Sequence, residues 1–192
     1  QAAGGKQKLL IKELFSEYTD NIPNPVGRGE LLKICHSKDG KQMVLFAKFT
    51  QLQRFDNLDE FERAAAKAVG LDYLRVKCRY TPDMLDAKYT GEAVKRLKQD
   101  MAVINGHLNG AFYYIDNNTV HIELKRGGAE LLSRAGFENA LAKLLNEEFS
   151  VKLTVKLIEK QTEQDNDYHY EQMMKQVYSD SLPIPDPDIP AR

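Results

Sequence analysis

Apolar positions along this chain switch repeatedly between helical spacing and strict alternation, and each switch marks an element. Leu9, Leu10, Leu14 and Phe15 recur at helical spacing before a stop at Asn21-Ile-Pro-Asn-Pro25, which predicts a short amphipathic helix. An extended run from Leu31 to His36 follows. After Lys38-Asp39-Gly40, Met43, Leu45, Ala47 and Phe49 alternate with Gln42, Val44, Phe46 and Lys48. Asp-Gly between two extended runs predicts a hairpin, because glycine tolerates the positive φ of such turns. Asn57-Leu58-Asp59-Glu60 has capping-box spacing, and Leu58, Phe61, Ala65 and Ala68 continue one apolar face up to a stop at Gly70. Leu74, Val76, Cys78 and Tyr80 then alternate with Arg75, Lys77 and Arg79, so a third strand has one apolar and one basic face.

The second half repeats the order. Thr90 stands where a helix cap is expected, ahead of Val94, Leu97, Met101 and Ile104 on one face, with an end near Asn105-Gly106. Strands over Ala111–Ile115 and Thr119–Lys125 flank the turn residues Asp116-Asn117-Asn118. A helix carrying Phe137, Leu141, Leu144 and Leu145 precedes a last strand in which Val151, Leu153, Val155 and Leu157 alternate with Lys152, Thr154 and Lys156. Tyr170, Met174, Val177 and Tyr178 suggest a weaker spacer helix, and four prolines between Ser181 and Pro190 read as a linker cut short.

Both halves therefore read helix, strand, turn, strand, helix, strand, without a residue-level repeat. The expected fold class is α+β: two small modules, each a roughly three-stranded sheet packed against helices. The expected boundaries are 1–82 for the first module, 88–160 for the second and 161–192 for spacer helix and linker. Leu31, Phe49, Phe61 and Val76 are expected in one core, and Val94, Ile122, Leu141 and Val155 in another.

Composition narrows the partners more than the fold. A formal charge of -1 over 192 residues excludes a global basic excess, so any nucleic-acid binding has to be regional. Cys35 and Cys78 lack CxxC spacing, and reduced thiols in a cytoplasmic protein are the simpler expectation. No apolar run reaches the roughly 20 residues that span a bilayer.

The chain lacks a GxSxG elbow, an HExxH helix and a Walker-type phosphate loop. His36, His107, His121 and His169 have no metal-ligand spacing, so neither metal nor cofactor is expected. Asp186 and Asp188 resemble a two-metal carboxylate pair but sit in the proline tail, without the rigid element such a site needs. Gly127-Gly128, with Lys125 and Arg126 beside them, suit either a phosphate site or a plain strand-to-helix turn. The clearest surface feature is Arg75, Lys77 and Arg79 on one strand face, with Lys152 and Lys156 as a weaker parallel. They serve as a solvated face, a phosphate contact or a contact for an acidic protein. No aromatic interleaves with the basic residues within either strand, so a base-stacking platform is not expected.

The segments Gly29–His36, Val44–Phe49 and Gly91–Ile158, with the Phe55–Val69 helix and the proline-rich exit, resemble in order and character the non-catalytic N-terminal region of PolC-type bacterial DNA polymerase III alpha subunits. The resemblance implies a larger DNA-directed DNA polymerase with 3'-5' exonuclease, whose catalytic parts lie elsewhere. It also implies one domain like the C-terminal domain of the clamp-loader tau subunit and one of type II KH fold. A KH domain that binds nucleic acid carries a GxxG loop between helices, and this sequence has none. The leading expectation is a protein-interaction module of the replisome, with a clamp-loader subunit, another replication protein or the rest of the polymerase as partner. The alternative is DNA binding through the basic strand faces, and a self-standing enzyme is a third reading that no motif carries.

Overall fold

The computed structural model describes residues 7–160. The spacer helix and proline-rich end expected from the sequence lie outside the described residues.

β1 (Glu30–His36) and β2 (Gln42–Lys48) pair antiparallel, from Glu30 opposite Lys48 to His36 opposite Met43. Their turn is the expected one: Gly40 takes a φ of 70°, and Asp39 accepts the Lys41 N–H at 3.0 Å. Ahead of them, α1 (Ile11–Phe15) is shorter than expected, and Ile11 and Phe15 are its buried residues. Leu9 stays outside because it runs beside β1, where its carbonyl accepts the Leu31 N–H at 2.8 Å. α2 (Asn24–Gly27) leads into Gly29, where a Cβ would fall 2.6 Å from the Phe49 ring, so only glycine lets the chain pass.

A crossover through α3 (Phe55–Val69) returns the chain as β3 (Tyr73–Arg79), parallel to β2, in the order β1-β2-β3. Gly70 ends α3 at φ 77°, as its position predicts. The start differs: the capping-box spacing at Asn57 goes unused. α3 begins at Phe55, whose N–H donates at 2.6 Å to the Glu92 carboxylate, an acceptor from far along the chain that local spacing cannot reveal. Leu45, Ala47, Leu74, Val76 and Cys78 line the buried face, against Leu58, Phe61 and Ala65 of α3.

The second sheet follows α4 (Ala87–Lys98) and consists of β4 (Phe112–Asp116), β5 (Thr119–Leu124) and β6 (Thr154–Glu159) in that order. β4 and β5 are antiparallel, joined by Asn117 and Asn118 at φ 45° and 62°; β6 is parallel to β5 after a crossover through α5 (Ala129–Arg134) and α6 (Phe137–Phe149). α4 is capped by Asp86, which accepts the Lys88 N–H at 2.9 Å, and not by Thr90, which is buried inside the helix. Its regular turns stop at Lys98, after which a 3-10 turn, Ala102–Ile104, buries Ile104. β6 starts at Thr154, not Val151, because the Asn146 side chain holds both Leu153 backbone groups, at 2.6 and 3.1 Å.

The described chain is thus α+β, with two three-stranded sheets packed against helices, but the expectation of two separate cores is corrected. Buried residues of both sheets form one continuous cluster. Tyr80 follows β3, Tyr89 lies on α4 and Phe149 ends α6; their ring centroids are 5.0 to 5.4 Å apart. The Tyr80 N–H donates to the Glu148 carbonyl at 2.7 Å. α4 is the reason for the fusion: it buries Tyr89, Thr90, Ala93, Val94, Arg96 and Leu97, too wide a band for one sheet.

A buried ion pair locks the same joint. Arg96 of α4 donates to Glu62 of α3 at 2.6 and 2.8 Å and to the Val76 carbonyl at 3.1 Å. Glu62 in turn accepts the Val76 N–H at 2.7 Å. The outer edge of β3 therefore has its backbone groups at Val76 satisfied by side chains, which blocks pairing with a further strand.

Candidate binding site

Alternation decides what the uncovered face of the first sheet carries. With Leu45 and Ala47 turned into the core, Val44, Phe46 and Lys48 of β2 face outward, and the register sets Lys33 of β1 and Lys77 of β3 directly across from Phe46. Lys33 and Lys77 are exposed. The Phe46 ring has Lys33 Nζ at 5.8 Å, Lys77 Nζ at 5.7 Å and the Arg79 guanidinium at 5.2 Å from its centroid, within cation–π range. Within β3 itself the aromatic beside the basic residues is Tyr73, at the start of the strand, with the Arg75 guanidinium 5.5 Å from its ring centroid. Phe46 comes from the neighbouring strand, and only the β2–β3 register places it among Lys77 and Arg79.

The three basic residues of β3 are not equivalent. Arg75 donates to Asp100 at 2.9 Å and to Gln99 at 3.2 Å, so its charge is already engaged. Lys77 and Arg79 have no ion-pair partner among the described residues, and neither has Lys33. A cleft beside β3, shared with α4 and α6, is lined by Arg79, Lys77, Asp100, Glu147 and Glu148. Burial pushes the Glu148 carboxyl up to about 7, against the opposing influences of the Tyr89 hydroxyl and of Arg96 and Arg79. Its Oε2 has no hydrogen-bond partner.

Cys35 pairs across to Val44 on the outward face, whereas Cys78 pairs to Ala47 on the core face, so the sheet separates the two free thiols. Burial raises the Cys78 thiol far above its ordinary value.

The remaining sequence candidates are scattered. Lys125 and Arg126 are exposed after β5, Lys152 is exposed before β6, and Lys156 lies on β6 opposite His121. Gly127 and Gly128 take φ values of 68° and 98°, the strand-to-helix turn. The phosphate reading of that turn is not supported, because the Ala129 N–H already donates to Glu159 at 2.8 Å and His107 crowds Gly128.

The open face of the second sheet has a different character. Phe112 is 60% exposed and lies 6.0 Å from Tyr114, which stacks on His121 at 4.6 Å with the rings 10° apart. Lys156 continues that row, while Asp116 and Glu123 share the face and Glu123 pairs with Lys160 at 3.3 Å. Charges of both signs thus surround an aromatic row in which Phe112 is exposed and Tyr114 and His121 are half-buried.

No family model and no curated protein matches the chain. Among the described residues no helix is long and apolar enough to cross a membrane, and no group of three or more His, Cys, Asp or Glu side chains is placed to hold a metal ion.

Proposed function

We propose that this chain is a non-catalytic binding region of a replicative DNA polymerase of the PolC type, and that it docks a protein of the replication machinery, with a clamp-loader subunit as the expected kind of partner. The resemblance of its segments, in order and character, supports the polymerase assignment. The exposed Phe112, seated beside the half-buried Tyr114–His121 stack, carries the docking reading. Aromatic side chains on a surface of mixed charge supply the buried centre of protein interfaces, because they bury large area for little conformational entropy.

Titration calorimetry of the chain against the clamp-loader tau subunit should show binding that changes little between low and high salt. Replacing Phe112 and Tyr114 together with alanine should weaken it at least about tenfold, the effect of removing a hot spot. Both side chains leave from the open face, so the thermal midpoint should stay close to that of the parent chain. No measurable binding, or equal binding by the double variant, would reject this face as the dock.

A further inference from the structure

We infer that the open face of the first sheet binds single-stranded nucleic acid, with a base stacked on Phe46 and its flanking phosphates held by Lys33, Lys77 and Arg79. The inference goes beyond protein docking and uses the other sheet, so either can fail alone.

The first support is juxtaposition. Three strands each contribute to one patch: Lys33 from β1, Phe46 from β2, and Lys77 and Arg79 from β3, with all three cations within 5.8 Å of one ring centroid. The Phe46 ring attracts each cation, but the three like charges repel one another, and an anion bound among them relieves that repulsion. The second support is availability: the three have no ion-pair partner among the described residues, and Arg79 donates from Nη1 to the Cys78 carbonyl at 2.9 Å, while nearby Arg75 is engaged by Asp100. Asp100, Glu147 and Glu148 line the cleft beyond β3 and set the limit of the strip on that side.

Chemistry then selects the ligand. Cations alone would serve an acidic peptide or any phosphate, and an aromatic ring at their centre adds most for a planar group that can lie flat on it. Every nucleobase presents such a face when unpaired, and stacking plus backbone phosphate contact is the recurring mode for single strands. A duplex buries its base faces in the stack, so it offers nothing to lie on the Phe46 ring. The overall charge of -1 makes the attraction local to this patch.

Fluorescence anisotropy with the whole chain and a labelled oligothymidylate of about 12 nucleotides, within the usual range of site sizes, tests the site. Binding should weaken as salt rises, with a slope near about -2 in log K against log salt for three phosphate contacts. Phe46→Ala should weaken it about five- to a hundredfold, and Phe46→Leu, which keeps the apolar volume, should lose nearly as much. Lys77→Gln should flatten the salt slope by about 0.7. Phe112→Ala should change nothing. Thermal unfolding of each variant should match the parent chain, since Phe46, Lys77 and Phe112 sit outside the core. Absence of salt-dependent binding by the parent chain would overturn the inference. So would Phe46→Leu binding as tightly as the parent, or polyglutamate binding as tightly as the oligonucleotide with the same dependence on Phe46, which would assign the face to an acidic protein.

Discussion

Replacing Arg96 with methionine should destabilise the protein by about 3–5 kcal/mol, the usual consequence of stranding one member of a buried ion pair. The Arg96 side chain is 9% exposed and that of Glu62 7% exposed, so solvent cannot take over the lost partner. Methionine fills much of the volume but returns none of the hydrogen bonds, which leaves the Glu62 carboxylate and the Val76 carbonyl facing a thioether. For a domain of this size each kcal/mol shifts the thermal midpoint by about 2–4 °C, so a fall on the order of 10 °C is expected. Chemical denaturation at pH 7, compared with the parent chain, gives the free energy directly. A loss below about 1 kcal/mol would mean that the pair is effectively solvated and that aromatic packing alone holds α4 to the first sheet.

That contact also shows what the sequence leaves hidden. Every strand was legible, because alternation is a local signal: Leu74, Val76, Cys78 and Tyr80 are all buried as their spacing requires. The two hairpin turns and the left-handed stop at Gly70 were legible for the same reason, since Asp-Gly, Asn-Asn and a helix-ending glycine each answer a local backbone need. Helix starts were less so. Asp86 displaces Thr90 as a cap, and Glu92 caps α3 from another helix, so the choice among plausible caps was made by tertiary packing. α5 went unread because its six residues are too few to show a period.

The cation–aromatic face was half legible. Lys77 and Arg79 stand out within one strand, but Phe46 and Lys33 join them only through the β1–β2–β3 register, which no single-strand pattern contains. Phe46 did carry a signal of its own, as a large aromatic in an outward-facing slot of β2, where burial cannot explain it. The aromatic stack of the second sheet has the same origin: Tyr114 and His121 sit in separate strands and meet because each occupies an outward position of the hairpin. Fusion of the two cores was hidden for a related reason. Tyr80 and Tyr89 looked like the end of one module and the start of the next, and only the fold sets Phe149 against both.

The same joint should make stability depend on pH through Glu148. Its carboxyl is pushed up to about 7 in the folded protein from an ordinary 4.5, chiefly because it is buried away from water. A carboxyl with a raised value binds its proton more tightly folded than unfolded, so stability is greatest below the ordinary value and falls as pH rises through the window between 4.5 and about 7. The cost of ionising it in place is on the order of 3 kcal/mol once pH exceeds 8. Glutamine resembles the protonated acid in shape and carries no charge, so Glu148→Gln should be more stable than the parent chain by less than about 1 kcal/mol at pH 5 and by about 3 kcal/mol at pH 8. Arg79, Arg96 and the Tyr89 hydroxyl favour the ionised form and Glu147 opposes it, so these groups set how much of that difference survives. Urea denaturation of both proteins at pH 5, 6, 7 and 8 isolates the effect, because every other titrating group is shared. A gap that widens from pH 5 to 7 and levels off by pH 8 is the expected result; a constant gap, or one that narrows with rising pH, would mean that Glu148 is already ionised at pH 5 and that water reaches the aromatic joint.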